Sequence, residues 1–132
     1  MRPEILERLN KSTNQVNLMN LQITDDELVE ITNFIMNNKK NLCEFFLDNN
    51  KISDVGAAIL ADTLSKLNMV NILSIQFNDI GKEGAIKLFS IKNNFPAINI
   101  AFHGNKIINV SEMEQIVNIA TGKESKNLFP FF

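Results

Sequence analysis

The 132-residue chain has one cysteine, one histidine and two arginines, and each scarcity removes a class of function. Cys43 has no second cysteine to pair with, so an intramolecular disulfide is excluded. Cys43 and His103 together fall short of the three or four clustered ligands that a zinc site needs. Arginine occurs only at Arg2 and Arg8, the net charge is -2, and no segment clusters Lys and Arg on one face, so nucleic acid is not an expected partner. No apolar run reaches the length of a membrane span, and the polar N-terminus lacks a signal-peptide core. Gly81 and Gly84 stand outside any G-x-x-x-x-G-K pattern, which removes a phosphate-binding loop. The Asp25-Asp26-Glu27 cluster reads as the start of a helix, where the backbone dipole favours carboxylates, rather than as a metal site. No cofactor is expected.

What the chain does have is one spelling repeated at a fixed interval. Leu42, Phe45, Leu47, Asn50 and Ile52 recur as Val70, Leu73, Ile75, Asn78 and Ile80, and again as Ala97, Ile100, Phe102, Asn105 and Ile107. The offsets are 28 and then 27 residues. Phe45 and Leu47 alternate with their neighbours, which places them on one face of a short strand. Asn50, Asn78 and Asn105 follow the strands, and their amides can satisfy backbone groups left unpaired in the turns, forming a structural ladder. Helices follow. Gly56-Ala57-Ala58-Ile59-Leu60 and Gly84-Ala85-Ile86-Lys87-Leu88 share the 28-residue offset, their small residues letting the helix lie close against the strand layer. Leu28, Ile31, Phe34 and Ile35, and then Leu60, Leu64 and Leu67, give helical stripes. Thr24 to Glu27 and Ser111 to Glu114 read as capping boxes. With 45% hydrophobic residues the chain can bury a continuous core, so disorder is not expected.

Four repeats are predicted, at residues 13–41, 42–69, 70–96 and 97–124, within a single domain spanning 1–132. In the first, Thr13, Val16, Leu18 and Leu21 take the repeat positions, and Leu21 stands where the ladder calls for Asn, as a terminal repeat allows. The fourth needs one extra residue in Ile108-Asn109-Val110 to bring Met113, Ile116 and Ala120 into phase. Residues 1–12 form an N-terminal cap, with a helix from Pro3 to Leu9 whose apolar side is Ile5, Leu6 and Leu9. Residues 125–132 form an apolar tail. Leu128, Phe129, Phe131 and Phe132 either cover the last repeat, add to a partner subunit, or serve as an export signal.

Repeats of this length and order, with Gly-Ala-x-x-Leu helices, resemble leucine-rich repeat proteins of the ribonuclease-inhibitor type. The resemblance implies an α/β fold, a right-handed leucine-rich repeat solenoid (horseshoe) with a parallel sheet on the concave side and helices on the convex side. It also implies a non-enzymatic protein–protein interaction module that binds a protein partner, of unknown identity, on the concave face. Inhibitors, immune sensors, GTPase regulators and bacterial effectors share this architecture. The 20 asparagines and the isoleucine bias look like an AT-rich genome, which keeps an effector secreted into host cytosol in view alongside a cytoplasmic protein. A monomer or weak dimer is expected.

Residues flanking the core-facing strand positions point outward. They form the rows Gln15, Glu44, Ile72, Asn99; Asn17, Phe46, Ser74, Ala101; and Met19, Asp48, Gln76, His103. Two rim rows follow, Asn20, Asn49, Phe77, Gly104 and Gln22, Lys51, Asp79, Lys106. The expected partner-binding residues are Met19, Glu44, Phe46, Asp48, Ile72, Gln76, Phe77 and His103, because large apolar groups on a solvent-facing strand ringed by polar ones fit a hot spot. The competing account has Phe77 folded into the turn core, Phe46 covering a neighbouring strand, and His103 as a plain surface residue. Replacing Phe46 and Asp48 by Ala is expected to weaken capture and leave the fold intact. The alternative function is a GTPase-activating regulator, for which Arg2 and Arg8 are the only possible arginine fingers. Cys43 and His103 lie about two repeats apart, roughly 10 Å at the strand spacing, too far for a nucleophile pair.

Overall fold

Paired strand accounts for only three residues of each repeat; turn and helix take the rest. The computed structural model describes residues 1–123. Helix α1 (Pro3–Leu9) leads into β1 (Gln15–Asn17), α2 (Asp25–Asn38), β2 (Glu44–Phe46), α3 (Asp54–Leu64) and β3 (Ile72–Ser74). Then come α4 (Lys82–Phe89), a 3₁₀ turn over Ser90–Asn93, β4 (Asn99–Ala101) and α5 (Val110–Ala120). The strands pair in chain order β1-β2-β3-β4, all parallel. Their register places Val16, Phe45, Leu73 and Ile100 in one row, and the flanking rows are those predicted from the repeat spelling. Backbone bonds continue past the strands, from Leu18 N to Phe46 O, Leu47 N to Ser74 O and Ile75 N to Ala101 O, at 2.8–2.9 Å.

Between the sheet and the layer of α2 to α5 lies the core. Val16, Leu18, Phe45, Leu47, Leu73 and Ile75 are fully buried against Leu28, Ile31, Leu60 and Leu88. The asparagines bridge neighbouring repeats. Asn50 Oδ1 accepts from Leu21 N (3.1 Å) and Ile23 N (2.9 Å), while its Nδ2 donates to Leu18 O and Leu47 O. Asn78 accepts from Ile52 N and donates to Leu47 O, and Asn105 accepts from Ile80 N and donates to Ile75 O, each at 2.9–3.0 Å. Each amide therefore closes its own turn and clamps the preceding one.

Several local expectations change. In α1, Ile5 and Leu9 are buried over the open side of β1, but Leu6 is 40% exposed, because its side faces away from the sheet. The capping box at Thr24 and Glu27 is present, with Thr24 N donating to Glu27 Oε1 at 3.3 Å. The Ser111 box is not: α5 starts earlier, and Asn109 Oδ1 caps it by accepting from Glu112 N at 2.8 Å. Gly56 and Gly84 do permit close approach, but to the preceding helix start rather than to the strands. A Cβ on Gly84 would sit 2.8 Å from Asp54 Cα, and one on Gly56 2.3 Å from Asp25 Oδ1. Those carboxylates form a second bridge between repeats. Asp25 Oδ1 accepts from Ser53 N (2.9 Å), and Asp54 Oδ1 accepts from Gly81 N (2.6 Å). Asp25 is thus committed to holding the next helix start. The apolar tail Leu128–Phe132 lies outside the described residues.

Candidate functional site

The outward sheet face carries the predicted residues in three different states. Glu44 and Asp48 are tied within the chain. Gln15 Nε2 donates to a Glu44 carboxylate oxygen at 2.7 Å. Asp48 Oδ1 accepts from Ser74 Oγ (2.6 Å) and Gln76 N (2.8 Å), so it fastens the third repeat to the second. Its replacement would disturb the sheet itself, which removes Asp48→Ala as a clean probe of binding. Phe46, Ile72, Met19 and Gln76 are half-buried, each packed along the face with its edge in solvent. Met19 sits on the β1 side, three strand spacings from His103, or about 14 Å, so it does not join the cluster on the β3–β4 side.

Phe77 and His103 stand apart. His103 is exposed, and Phe77 is 53% exposed, so the phenyl ring is not part of the turn core. The two rings meet edge to face, centroids 5.5 Å apart and planes at 88°. The Phe77 ring also lies over Gly104, where a Cβ would come within 2.3 Å of Phe77 Cδ1. Gly104 thus keeps open the seat on which the ring rests.

The backbone under Phe77 is left-handed. Its φ is 54°, and the same slot of the other repeats gives Asn20 at 60°, Asn49 at 59° and Gly104 at 82°. Asn and Gly occupy this region at little cost, whereas a bulky side chain there is a true outlier. The sequence carried the signal, since Asn, Asn and Gly at one repeat position mark a left-handed slot and Phe77 is the exception. Phe77 thus keeps a strained backbone while half of its ring stays in solvent.

The arginines are both engaged. Arg2 Nε donates to Glu27 Oε2 at 2.7 Å, another of its nitrogens reaches Leu21 O, and Arg8 donates to Met19 O at 2.9 Å. Its hydrogen bond with Glu27 raises the Arg2 guanidinium above its ordinary pKa. Burial pushes the Glu27 carboxyl upward, but hydrogen bonds from Arg2 and the Thr24 backbone outweigh it, and the net pKa is lowered. Cys43 and His103 are two strands apart and at opposite ends of them, before β2 and after β4. Among the described residues no group of three or more His, Cys, Asp or Glu side chains is placed to hold a metal ion.

Two further surfaces complete the picture. At the far end of the array an open apolar hollow of about 470 Å³ is lined by Phe102, Ile107, Ile108, Met113 and Val117, with Ile108 86% exposed. Lysines scattered in the sequence also gather in space, a clustering that linear spacing did not reveal. The strands are all parallel and a helix returns after each, so every helix end and strand start lies on one edge of the molecule.

A family model described as "Leucine Rich repeat" matches residues 66–89. No curated protein matches the chain. Among solved structures, the chain is similar to one titled "Leiomodin-1 Actin-Binding Site 2 (ABS2)", with a TM-score of 0.66 and 18% sequence identity, over 97% of this chain and 91% of that one. The span matched by the family model holds β3, its turn and α4, one complete unit of an array that the sheet register carries across the whole described chain. The fold is an α/β leucine-rich repeat solenoid.

Proposed function

We propose that this protein is a binding module that grips a protein partner with its concave sheet face, and that Phe77 is the anchor. Phe77 carries the reading: a ring 53% exposed on a left-handed backbone, in a slot where two other repeats use Asn. His103 props the ring, while Ile72 and Phe46 stand farther along the same face, separated from it by Ser74 and Gln76. Glu44 and Gln76 supply a polar margin. An aromatic set among near-neutral polar contacts matches the anatomy of a hot spot, and the face is of the size that one side of a standard interface uses. No catalytic role is assigned to any residue. The GTPase-activating alternative needs an unengaged arginine and draws no support from Arg2 or Arg8.

Affinity capture with the wild-type chain and Phe77→Asn as paired baits tests the proposal. Actin belongs among the assayed proteins, because the structural neighbour is titled as an actin-binding site. A hot-spot loss of about 2 kcal/mol corresponds to roughly 30-fold weaker binding, so a partner held by wild type should be lost from the variant. Equal retention by both baits overturns the assignment of the anchor.

A further inference from the structure

Charge is sorted across the two edges of the solenoid. Lys11, Lys40, Lys66, Lys87, Lys92 and Lys123 lie in the last turns of helices or in the loops that lead toward the strands. Hydrogen bonds fix the placement. Lys39 Nζ reaches across to Ser12 O, Lys92 Nζ donates to Ile98 O just before β4, and Asn93 Nδ2 donates to Ala120 O at the end of α5. Among the described residues, Glu7 in the last turn of α1, Asp62, paired with Lys66 at 3.2 Å, and Glu44, bonded to Gln15, bring carboxylates to this side. The opposite edge holds the acidic helix starts Asp25, Asp26, Asp54, Glu83 and Glu112, with Lys51, Lys82 and Lys106 among them. Cations near helix ends complement the backbone dipole, which accounts for Lys87 in the last turn of α4. Lys11, Lys40, Lys66 and Lys123 stand two or three residues beyond the helix ends and are exposed.

We infer that this lysine edge is a docking rail for an acidic, extended segment of a partner protein, separate from the sheet face. Successive helices pack about 8–10 Å apart, so the rail offers one cationic step per repeat over about 24–30 Å. An extended chain rises about 3.3 Å per residue, so carboxylates on every third residue meet each step over about nine residues. The one arginine on this edge, Arg8 in the last turn of α1, is engaged with Met19 O, and the aromatic rings there, Phe89 and Phe95, are buried and half-buried. The rail therefore lacks the free stacking surfaces and forked donors that single-stranded nucleic acid uses, which favours a peptide over an oligonucleotide. Binding of this kind is salt-sensitive, because exposed pairs are screened within about 8 Å at physiological ionic strength.

Fluorescence anisotropy with a labelled oligoglutamate peptide, its oligoglutamine counterpart and a single-stranded oligonucleotide of equal length tests the rail. One variant carries Lys40→Glu, Lys66→Glu and Lys87→Glu; a control carries Lys51→Glu, Lys82→Glu and Lys106→Glu on the opposite edge. The two have the same net charge. Oligoglutamate should bind wild type at low salt, lose about tenfold or more with the rail variant, and change less than about twofold with the control. Equal losses in both variants, no binding to wild type, or oligonucleotide binding as tight as oligoglutamate would each overturn the inference. So would salt-sensitive self-association of the free chain, seen by light scattering and abolished by the rail variant, because the acidic edge of a second copy would then be the occupant.

Discussion

Replacing Phe77 by Asn should leave the fold almost unchanged in stability, which is not what the loss of an aromatic ring usually does. Two opposed changes set the figure. Full burial of a Phe side chain contributes about 1.5–3 kcal/mol, and Phe77 is 53% exposed, so roughly 1 kcal/mol is at stake. Loss of the edge-to-face contact with His103 adds about 0.5–1.5 kcal/mol. Against this, the left-handed backbone at φ 54° costs a bulky residue roughly 1–2 kcal/mol, most of which Asn recovers, as it does at Asn20 and Asn49. The balance lies within about 1 kcal/mol of zero. Phe77→Ala loses the ring without recovering the backbone term, so it should be about 1 kcal/mol less stable than Phe77→Asn. Phe45→Ala, at a fully buried position, sets the scale at about 3–5 kcal/mol. The chain has neither Trp nor Tyr, so far-UV circular dichroism in urea is the assay. With a urea slope of about 1–3 kcal/mol per molar, the Phe45 variant should shift its midpoint far more than Phe77→Asn. If Phe77→Asn costs about 2 kcal/mol or more at unchanged slope, or falls below Phe77→Ala, the ring is structural and the anchor argument fails.

Other perturbations test the frame. Asn78→Ala strands Ile52 N in the interior, while Leu47 O and Ile75 O keep the amides of Asn50 and Asn105, and should cost about 1–3 kcal/mol in urea titration; a loss under about 0.5 kcal/mol would show that the bridge is dispensable. Gly84→Ala gains about 1 kcal/mol of helix propensity but places a methyl group 2.8 Å from the Asp54 backbone, so thermal melting should fall rather than rise. Glu27 has a lowered pKa in the fold, so its contribution is complete above the unfolded value near 4.3 and disappears as pH falls through the folded value. Glu27→Gln should therefore melt below wild type at pH 7 and converge with it in acid; a gap that persists in acid would rule out the Arg2 pair as its cause.

Much of this fold is written plainly in the chain. Asn50, Asn78 and Asn105 sit at fixed offsets because a turn that must close on its neighbour needs a side chain with donors and an acceptor at one position. The strand rows follow once those residues are aligned, since a one-residue slip would turn every core side chain outward. What the spelling hid depends on pairs of elements. Ser111 and Asn109 are both competent caps, and only where α5 docks decides between them. Gly56 and Gly84 read as small residues facing the sheet, but their actual neighbours, Asp25 and Asp54, belong to another helix. Asp48 looked like rim polarity because nothing in its own repeat reveals the Gln76 amide beside it. The lysine edge stayed invisible for a related reason: charges about 26 residues apart become neighbours only after the chain has turned back on itself.

The two aromatic residues on the sheet side carry different weight once conformation is considered. Phe46 lies in β2, where an aromatic residue fits a pleated, half-buried surface and gains from its strand neighbours, so stability alone accounts for it. Phe77 has no such account. Its slot recurs in each repeat with one backbone conformation, and Asn20, Asn49 and Gly104 show which residues settle there without strain. Because the neighbouring repeats hold the slot fixed, through Phe77 N to His103 O at 2.9 Å and Asn49 N to Gln76 O at 2.9 Å, the strained residue cannot relax by shifting the loop. A ring kept on such a backbone and turned to solvent adds little to the core and offers a rigid, amphipathic surface whose ordering cost is met before any partner arrives. In the proposed function the anchor is therefore Phe77, the exception within the repeat, and Phe46, opposite Ser74 in the sheet, is secondary to it.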